Sequence, residues 1–170
     1  METTMTETRI DRGSTDTTTI YSEGGDLVFE RTFDAPREQV WEAFMDPELV
    51  PRWWGPHGTT TQVAEMDVRP GGKWRYVSSA PDREDVAFYG EYLEIDPPAR
   101  FEWTFMFDVE GFGPQGGPET FLFEDLDGRT KVISIGHMGS AEAIEGALAS
   151  GMIAGAIGTW DRLEALLAEG

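Results

Sequence analysis

The chain contains no cysteine, which excludes a disulfide framework, a thiolate metal site and a cysteine nucleophile together. It has two histidines, His57 and His137, so histidine-based metal or acid–base chemistry has little to draw on, and no metal or other cofactor is expected. No apolar run approaches the roughly eighteen residues that span a bilayer, because Arg, Asp or Glu interrupts each one. The opening stretch METTMTETRIDRGSTDTTT lacks the apolar core of a secretory signal, and a cytoplasmic location is expected. Positive charge is scarce: Lys73, Lys131 and eleven arginines stand against thirty-two carboxylates, for a formal net charge of −19. Such a surface repels nucleic acid and anionic membranes, so neither is expected as a partner. The same imbalance suits either a high-salt cytoplasm, where the Debye length shrinks to about 3 Å at 1 M, or an ordinary acidic protein with an arginine bias.

What is present is a globular composition, with 39% hydrophobic and 12% aromatic residues in a chain of 170, enough for one sizeable core. Residues 1–18 are polar, Thr-rich and without period, and read as a disordered leader. Residues 19–170 read as a single α+β domain. Ile20, Leu27, Val28, Phe29 and Phe33 mark a first strand, broken or folded into two paired pieces at Gly24-Gly25-Asp26. Pro36 suits the first turn of a short helix that buries Val40, Trp41 and Phe44. Asp46 is a candidate N-cap for a second one, which Pro51 should end or kink. Strands are then expected at Thr60 to Val68, Lys73 to Ser79, Val86 to Ile95, Arg100 to Phe107, Thr120 to Leu126 and Thr130 to His137. Asp127-Gly128 supplies a hairpin turn between the last two. The segment from Asp108 to Pro118 holds four glycines and two prolines, and reads as a mobile connection that could serve as a lid.

Two patterns stand out. In the Arg100 to Phe107 strand, Phe101, Trp103, Phe105 and Phe107 occupy one face and Arg100, Glu102, Thr104 and Met106 the other, as expected for the inner face of a curved sheet. From Ser140 to Ala168, Leu148, Met152, Ala156, Trp160, Leu163 and Leu167 recur at helical spacing and predict one long helix with an apolar stripe. Gly146, Gly151, Gly155 and Gly158 interrupt it, each costing roughly 1 kcal/mol relative to Ala. Close packing against the sheet, or room for a bound molecule, would offset that cost.

Taken in order, the stretches FDAPREQVWEAFMDPELVPRWWGP, EMDVRPGGKWRYV, GEYLEIDPPARFEWTF, the DGRTKV hairpin and SGMIAGAIGTWDRLEALL carry a resemblance. The chain resembles bacterial members of the activator-of-heat-shock-protein-90-ATPase-like family, in the START/SRPBCC or birch-pollen-allergen-like superfamily. The resemblance implies a helix-grip fold: a seven-stranded curved antiparallel sheet wrapped around a long C-terminal helix, with two short helices after the first strand and a hydrophobic cavity between sheet and helix.

The expected function is therefore the binding of a small hydrophobic or aromatic molecule in that cavity, with no intrinsic chemistry assigned. The candidate ligand-binding residues are Trp53, Trp54, Trp74, Tyr76, Trp103, Phe105, Phe107 and Met152, an apolar lining with a few polar handles. Trp41, Phe101 and Trp160 are better explained as core. No catalytic residue is assigned: His57 reads as an exposed loop residue, His137 as the end of a strand, and Glu102 and Arg75 as outward by parity. Asp67 and Arg69 flank a turn and can pair with each other or with solvent. A co-chaperone role, which the family name suggests, and a polyketide cyclase or aromatase activity, known in the superfamily, are the alternatives; a chaperone partner is disfavoured. An exposed sheet edge or the Trp53-Trp54 loop offers a surface for a homodimer.

Overall fold

A computed structural model describes residues 9–109 and 111–169. Nine antiparallel strands form one sheet in the order β1-β2-β3-β9-β8-β7-β6-β5-β4. The strands are β1 (Ile10–Asp11), β2 (Thr19–Glu23), β3 (Asp26–Phe33), β4 (Thr60–Met66), β5 (Lys73–Ala80), β6 (Arg83–Asp96), β7 (Arg100–Val109), β8 (Gly113–Asp125) and β9 (Thr130–His137). Helices α1 (Arg37–Met45) and α2 (Val50–Trp53) follow β3, and α3 (Ala141–Ala149) and α4 (Met152–Leu167) end the chain. This is the helix-grip architecture, with nine strands where seven are expected. One of the two extra strands comes from the Gly24-Gly25 turn, which makes a paired β2–β3 hairpin. The other comes from the stretch expected to be a disordered leader: Ile10 and Asp11 pair with Ser22 and Tyr21, and Thr18 is buried. Residues 1–8 of that leader lie outside the described residues.

The sheet buries its main core on one face, while Tyr21, Val28 and Ile133 form a smaller buried cluster on the other. Along β7, Phe101 and Trp103 are sealed while Phe105 and Phe107 are half-buried, so the aromatic row does turn inward and emerges toward one end. Across it, Phe121 and Phe123 of β8, Tyr92 of β6, Trp74 and Tyr76 of β5 and Phe29 and Phe33 of β3 complete the core. Helix α1 seats Phe44 among Phe101, Phe121 and Phe123, and Trp160 of α4 meets Phe29 and Phe33 edge-on.

Four local expectations are corrected. Asp46 closes α1, its amide bonded to the Glu42 carbonyl at 2.9 Å, and does not cap α2. Pro51 sits in the first turn of the four-residue α2, where a missing N–H leaves no bond unmade. The segment from 113 to 118 is strand, not a mobile connection: Gly113 to Pro118 pair residue by residue with Val109 to Thr104 of β7. On its other side β8 meets β9 only from Glu119 onward, so Pro114 and Pro118 lie on a free edge, where proline is tolerated. Finally, the C-terminal helix is two helices. Gly151 adopts φ +83° between α3 and α4, a left-handed conformation that breaks the run and that side chains with a Cβ disfavour.

Candidate functional site

The inner face between α4 and strands β4–β8 gathers most of the candidate residues. Trp74 and Trp103 stack with ring centroids 4.0 Å apart. Tyr76 meets Trp54 at 5.1 Å, Trp54 meets Phe88 at 5.2 Å, and Phe88 leads to Phe105 and Phe107. The result is a continuous aromatic wall whose inner members are closed and whose outer members, Trp54, Phe88, Phe105 and Phe107, are half-buried. Trp54 is placed by its backbone: its carbonyl accepts from Thr61 Oγ1 at 2.6 Å, and Arg162 of α4 donates to the next carbonyl, that of Gly55, at 2.9 Å. Met152 begins α4 and packs, half-buried, at the edge of the same core. Trp53 turns away from the wall, packing on Phe44 at 4.8 Å and donating its ring N–H to the Ala43 carbonyl.

Beside Trp54 is a partly open cavity of about 60 Å³, lined by Phe44, Val50, Trp53, Trp54, Tyr76, Trp103, Phe121, Thr159 and Trp160. At about 10–15 Å³ per water, it holds a few waters and not a ligand-sized guest. Trp53, Trp54, Tyr76 and Trp103 line it as candidates; Trp74, Phe105, Phe107 and Met152 lie outside it. Trp160, assigned to the core, lines it too. Gly158 of α4 provides close packing: a Cβ there would stand 3.4 Å from His57 Cδ2. Gly155 faces open space.

Two polar features belong to this face. Tyr92 is fully buried and its hydroxyl has no partner among the described residues; burial pushes it up to about 12. Burial likewise raises Tyr76 well above the usual phenol range, so both rings stay neutral. The second feature is Glu119, which shares the inward parity of Phe121 and Phe123 and stands opposite Trp103 of β7 and Gly136 of β9. Trp103 donates its ring N–H to Glu119 Oε1 at 2.8 Å. Burial pushes the carboxyl up to about 7, against the lowering effects of that hydrogen bond and of nearby His137. Sequence reasoning missed Glu119 because the Gly- and Pro-rich run before it read as loop and β8 was expected to begin at Thr120. Extending the Phe121, Phe123 alternation back by one step was the available signal.

On the opposite, convex face, His137 is not merely a strand end. Its Nε2 is hydrogen-bonded to Thr120 Oγ1 at 2.9 Å and its Nδ1 to Asp26 Oδ1 at 3.1 Å. The order Asp, His, hydroxyl resembles a nucleophile relay, but Thr120 is buried and the three residues sit on β3, β9 and β8. Their effect is to clamp three neighbouring strands. His57 is exposed, and of the two arrangements open to Asp67 and Arg69 they adopt the pairing with each other, at 2.9 Å. Among the described residues no cluster of His, Cys, Asp or Glu could hold a metal ion, and no helix is long and apolar enough to cross a membrane.

The fold is shared with solved proteins. Protein Ms6760 from Mycobacterium smegmatis is 32% identical, with a TM-score of 0.75 over 85% of this chain and 91% of that one. A protein from Arthrobacter aurescens superposes with a TM-score of 0.81 at 24% identity, covering 89% and 92% of the two chains. The AHSA1 protein of Silicibacter pomeroyi does so with a TM-score of 0.68 at 21% identity, covering 84% and 97%. No curated protein sequence matches the chain. The family model described as Activator of Hsp90 ATPase homolog 1-like protein matches residues 34–168, nearly the whole of the helix-grip unit from α1 onward, and the chain belongs to that family.

Proposed function

We propose that the protein binds a small hydrophobic or aromatic molecule on the concave face of the sheet, under the N-terminal half of α4. The observation that carries this reading is the graded burial of the aromatic wall. Phe101, Trp103 and Phe121 are sealed, whereas Trp54, Phe88, Phe105, Phe107 and Met152 remain half-buried around one mouth. Large apolar side chains left open together on a concave face mark a ligand surface. The fold supports the reading, because helix-grip proteins commonly hold ligands between sheet and helix.

The cavity of about 60 Å³ is far below the roughly 300–1,000 Å³ of small-molecule pockets. Binding therefore requires Trp54 or the start of α4 to move outward. Titration with the neutral probe N-phenyl-1-naphthylamine tests this. Saturable enhancement of probe fluorescence, quenching of tryptophan emission and a higher Tm are expected, and Phe105→Ala should weaken the binding. If neither this probe nor a panel of neutral aromatics shifts the Tm, the reading fails.

One observation favours an enzyme instead: a carboxyl on the concave face whose pKa lies near neutrality suits a general acid or base. Turnover separates the two. A cyclase-like enzyme would lose product formation in Glu119→Gln while keeping affinity for the guest, whereas a binding protein forms no product with either chain.

A further inference from the structure

We infer that Glu119 is the polar anchor of the site and that the guest is an organic cation, a protonated amine carried on an aromatic or aliphatic body. The inference rests on the binding reading above and adds the charge of the ligand. Its basis is what surrounds the carboxyl. Glu119 Oε1 is held by the Trp103 ring N–H at 2.8 Å, while Oε2 has no hydrogen-bond partner among the described residues. Two of its four adjacent inward positions are glycines: Gly117, two residues back on β8, and Gly136, its cross-strand partner on β9; the other two are Phe121 and Trp103. A Cβ at Gly117 would touch the His137 carbonyl oxygen at 3.8 Å, and one at Gly136 would touch Met138 Sδ at 3.6 Å and the Leu27 carbonyl oxygen at 3.7 Å, so neither position itself sets a side chain beside the carboxyl. Beside Gly117 stands Phe105, a half-buried ring of the mouth. A half-buried carboxylate oxygen without a protein partner among the described residues therefore stands next to the aromatic wall.

A carboxylate beside Trp, Tyr and Phe faces is the combination that recognises ammonium groups. The rings contribute cation–π attraction, and the carboxylate contributes a charge-assisted hydrogen bond that is strong where water is excluded. An apolar guest without a cation would strip the remaining water from this half-buried carboxylate and leave it unpaired, or force it to take up a proton. The net charge of −19 raises the local concentration of cations around the whole molecule and excludes anionic guests.

The charged groups that bear on Glu119 leave this arrangement intact. His137 of β9 favours the ionised form and is itself paired with Asp26 of β3. The side chains that β7 turns inward are aromatic, and α1, packed on β8, buries Val40, Ala43 and Phe44. Because burial brings the carboxyl up to about 7 against the lowering effects of the Trp103 hydrogen bond and His137, a bound ammonium would lower it and release a proton at neutral pH.

The test compares 1-naphthylmethylammonium with 1-naphthylmethanol, its neutral analogue of nearly the same shape, by calorimetry in moderate salt at pH 8 and pH 5.5. At pH 8 the ammonium should bind about tenfold to a hundredfold more tightly than the alcohol, the worth of one hydrogen bond to a charged group. At pH 5.5 the preference should shrink, and near pH 7 the heat of binding should depend on the buffer as a proton is released. Glu119→Gln should abolish the preference, the ammonium losing its advantage while the alcohol still binds. That variant changes one charge of many, so a preference that survives it would trace to the general acidic surface and overturn the inference. Should the variant fail to fold, the unaltered protein decides by its pH dependence: a preference of equal size at pH 5.5 and pH 8 would overturn the inference. Equal affinities for the two probes would overturn the inference but leave the apolar site standing; binding of neither would sink both.

Discussion

Glu119 is held where a carboxylate is least comfortable, and that discomfort is measurable. Its pKa in the folded chain is about 7, against an ordinary value of 4.5, so between those values the folded state binds more protons than the unfolded one. By linkage, stability from this group is present below about pH 4.5, falls as pH rises toward 7, and stays lost above it. Glu119→Gln keeps an acceptor for the Trp103 N–H without the charge. It should therefore be more stable than the parent at pH 8, by up to about 3 kcal/mol, with the difference vanishing near pH 4.5. Paired denaturant titrations at the two pH values check this. A group that costs stability at neutral pH and is nevertheless oriented by a 2.8 Å hydrogen bond is the kind expected where a guest restores what the fold gave up. Arg31 is a contrasting buried charge, because its guanidinium is already paired with Asp161 at 2.8 Å and Glu164 at 2.9 Å of α4.

The C-terminal helices show how one substitution can have opposite signs within a few residues. Gly151 separates α3 from α4 at φ +83°, and an alanine there must adopt a conformation costing about 1–2 kcal/mol. Gly146 lies inside α3 with an ordinary backbone and open space around a Cβ, so alanine there should stabilise by about 0.5–1 kcal/mol. Thermal melts should show Gly151→Ala lowering Tm and Gly146→Ala raising it, each by about 2–4 °C per kcal/mol. The break at Gly151 also separates α3, which buries Ile144 alone, from α4, whose C-terminal half is locked by Trp160, Leu163 and Leu167. Opening of the site is therefore easiest at the α3–α4 junction and the start of α4, where Met152 and Ile153 are only half-buried.

Taken whole, the molecule carries its charge as self-repulsion. With a net −19 and ion pairs that are mostly exposed, such as Lys73 with Glu91 and Arg9 with Glu23, added salt should screen more repulsion than attraction. Its Tm should rise between about 0.05 and 1 M NaCl; a Tm that stays level or falls would show that the carboxylates are already balanced locally. The same field bears on function, since an amine approaching the mouth is drawn in before it touches Trp54 or Phe105, and high salt should slow its association more than its release.

The sequence by itself determined what depends on near neighbours in the chain. The alternation of Phe101, Trp103, Phe105 and Phe107 assigns an inner face, the spacing of Trp160, Leu163 and Leu167 assigns a helix stripe, and Asp127-Gly128 assigns a turn. All three are local periodicities that backbone geometry enforces. The tertiary structure decided what depends on pairing and on volume. A proline-rich stretch is strand only because β9 stops short of it, and the interior is nearly full only because Phe44, Phe121 and Trp160 arrive from three separate elements. Glu119 is paired with Trp103 on the concave face only because β8 begins earlier than its own residues suggest. Neither the partner across a sheet nor the space left between packed layers is written in the order of side chains along one strand.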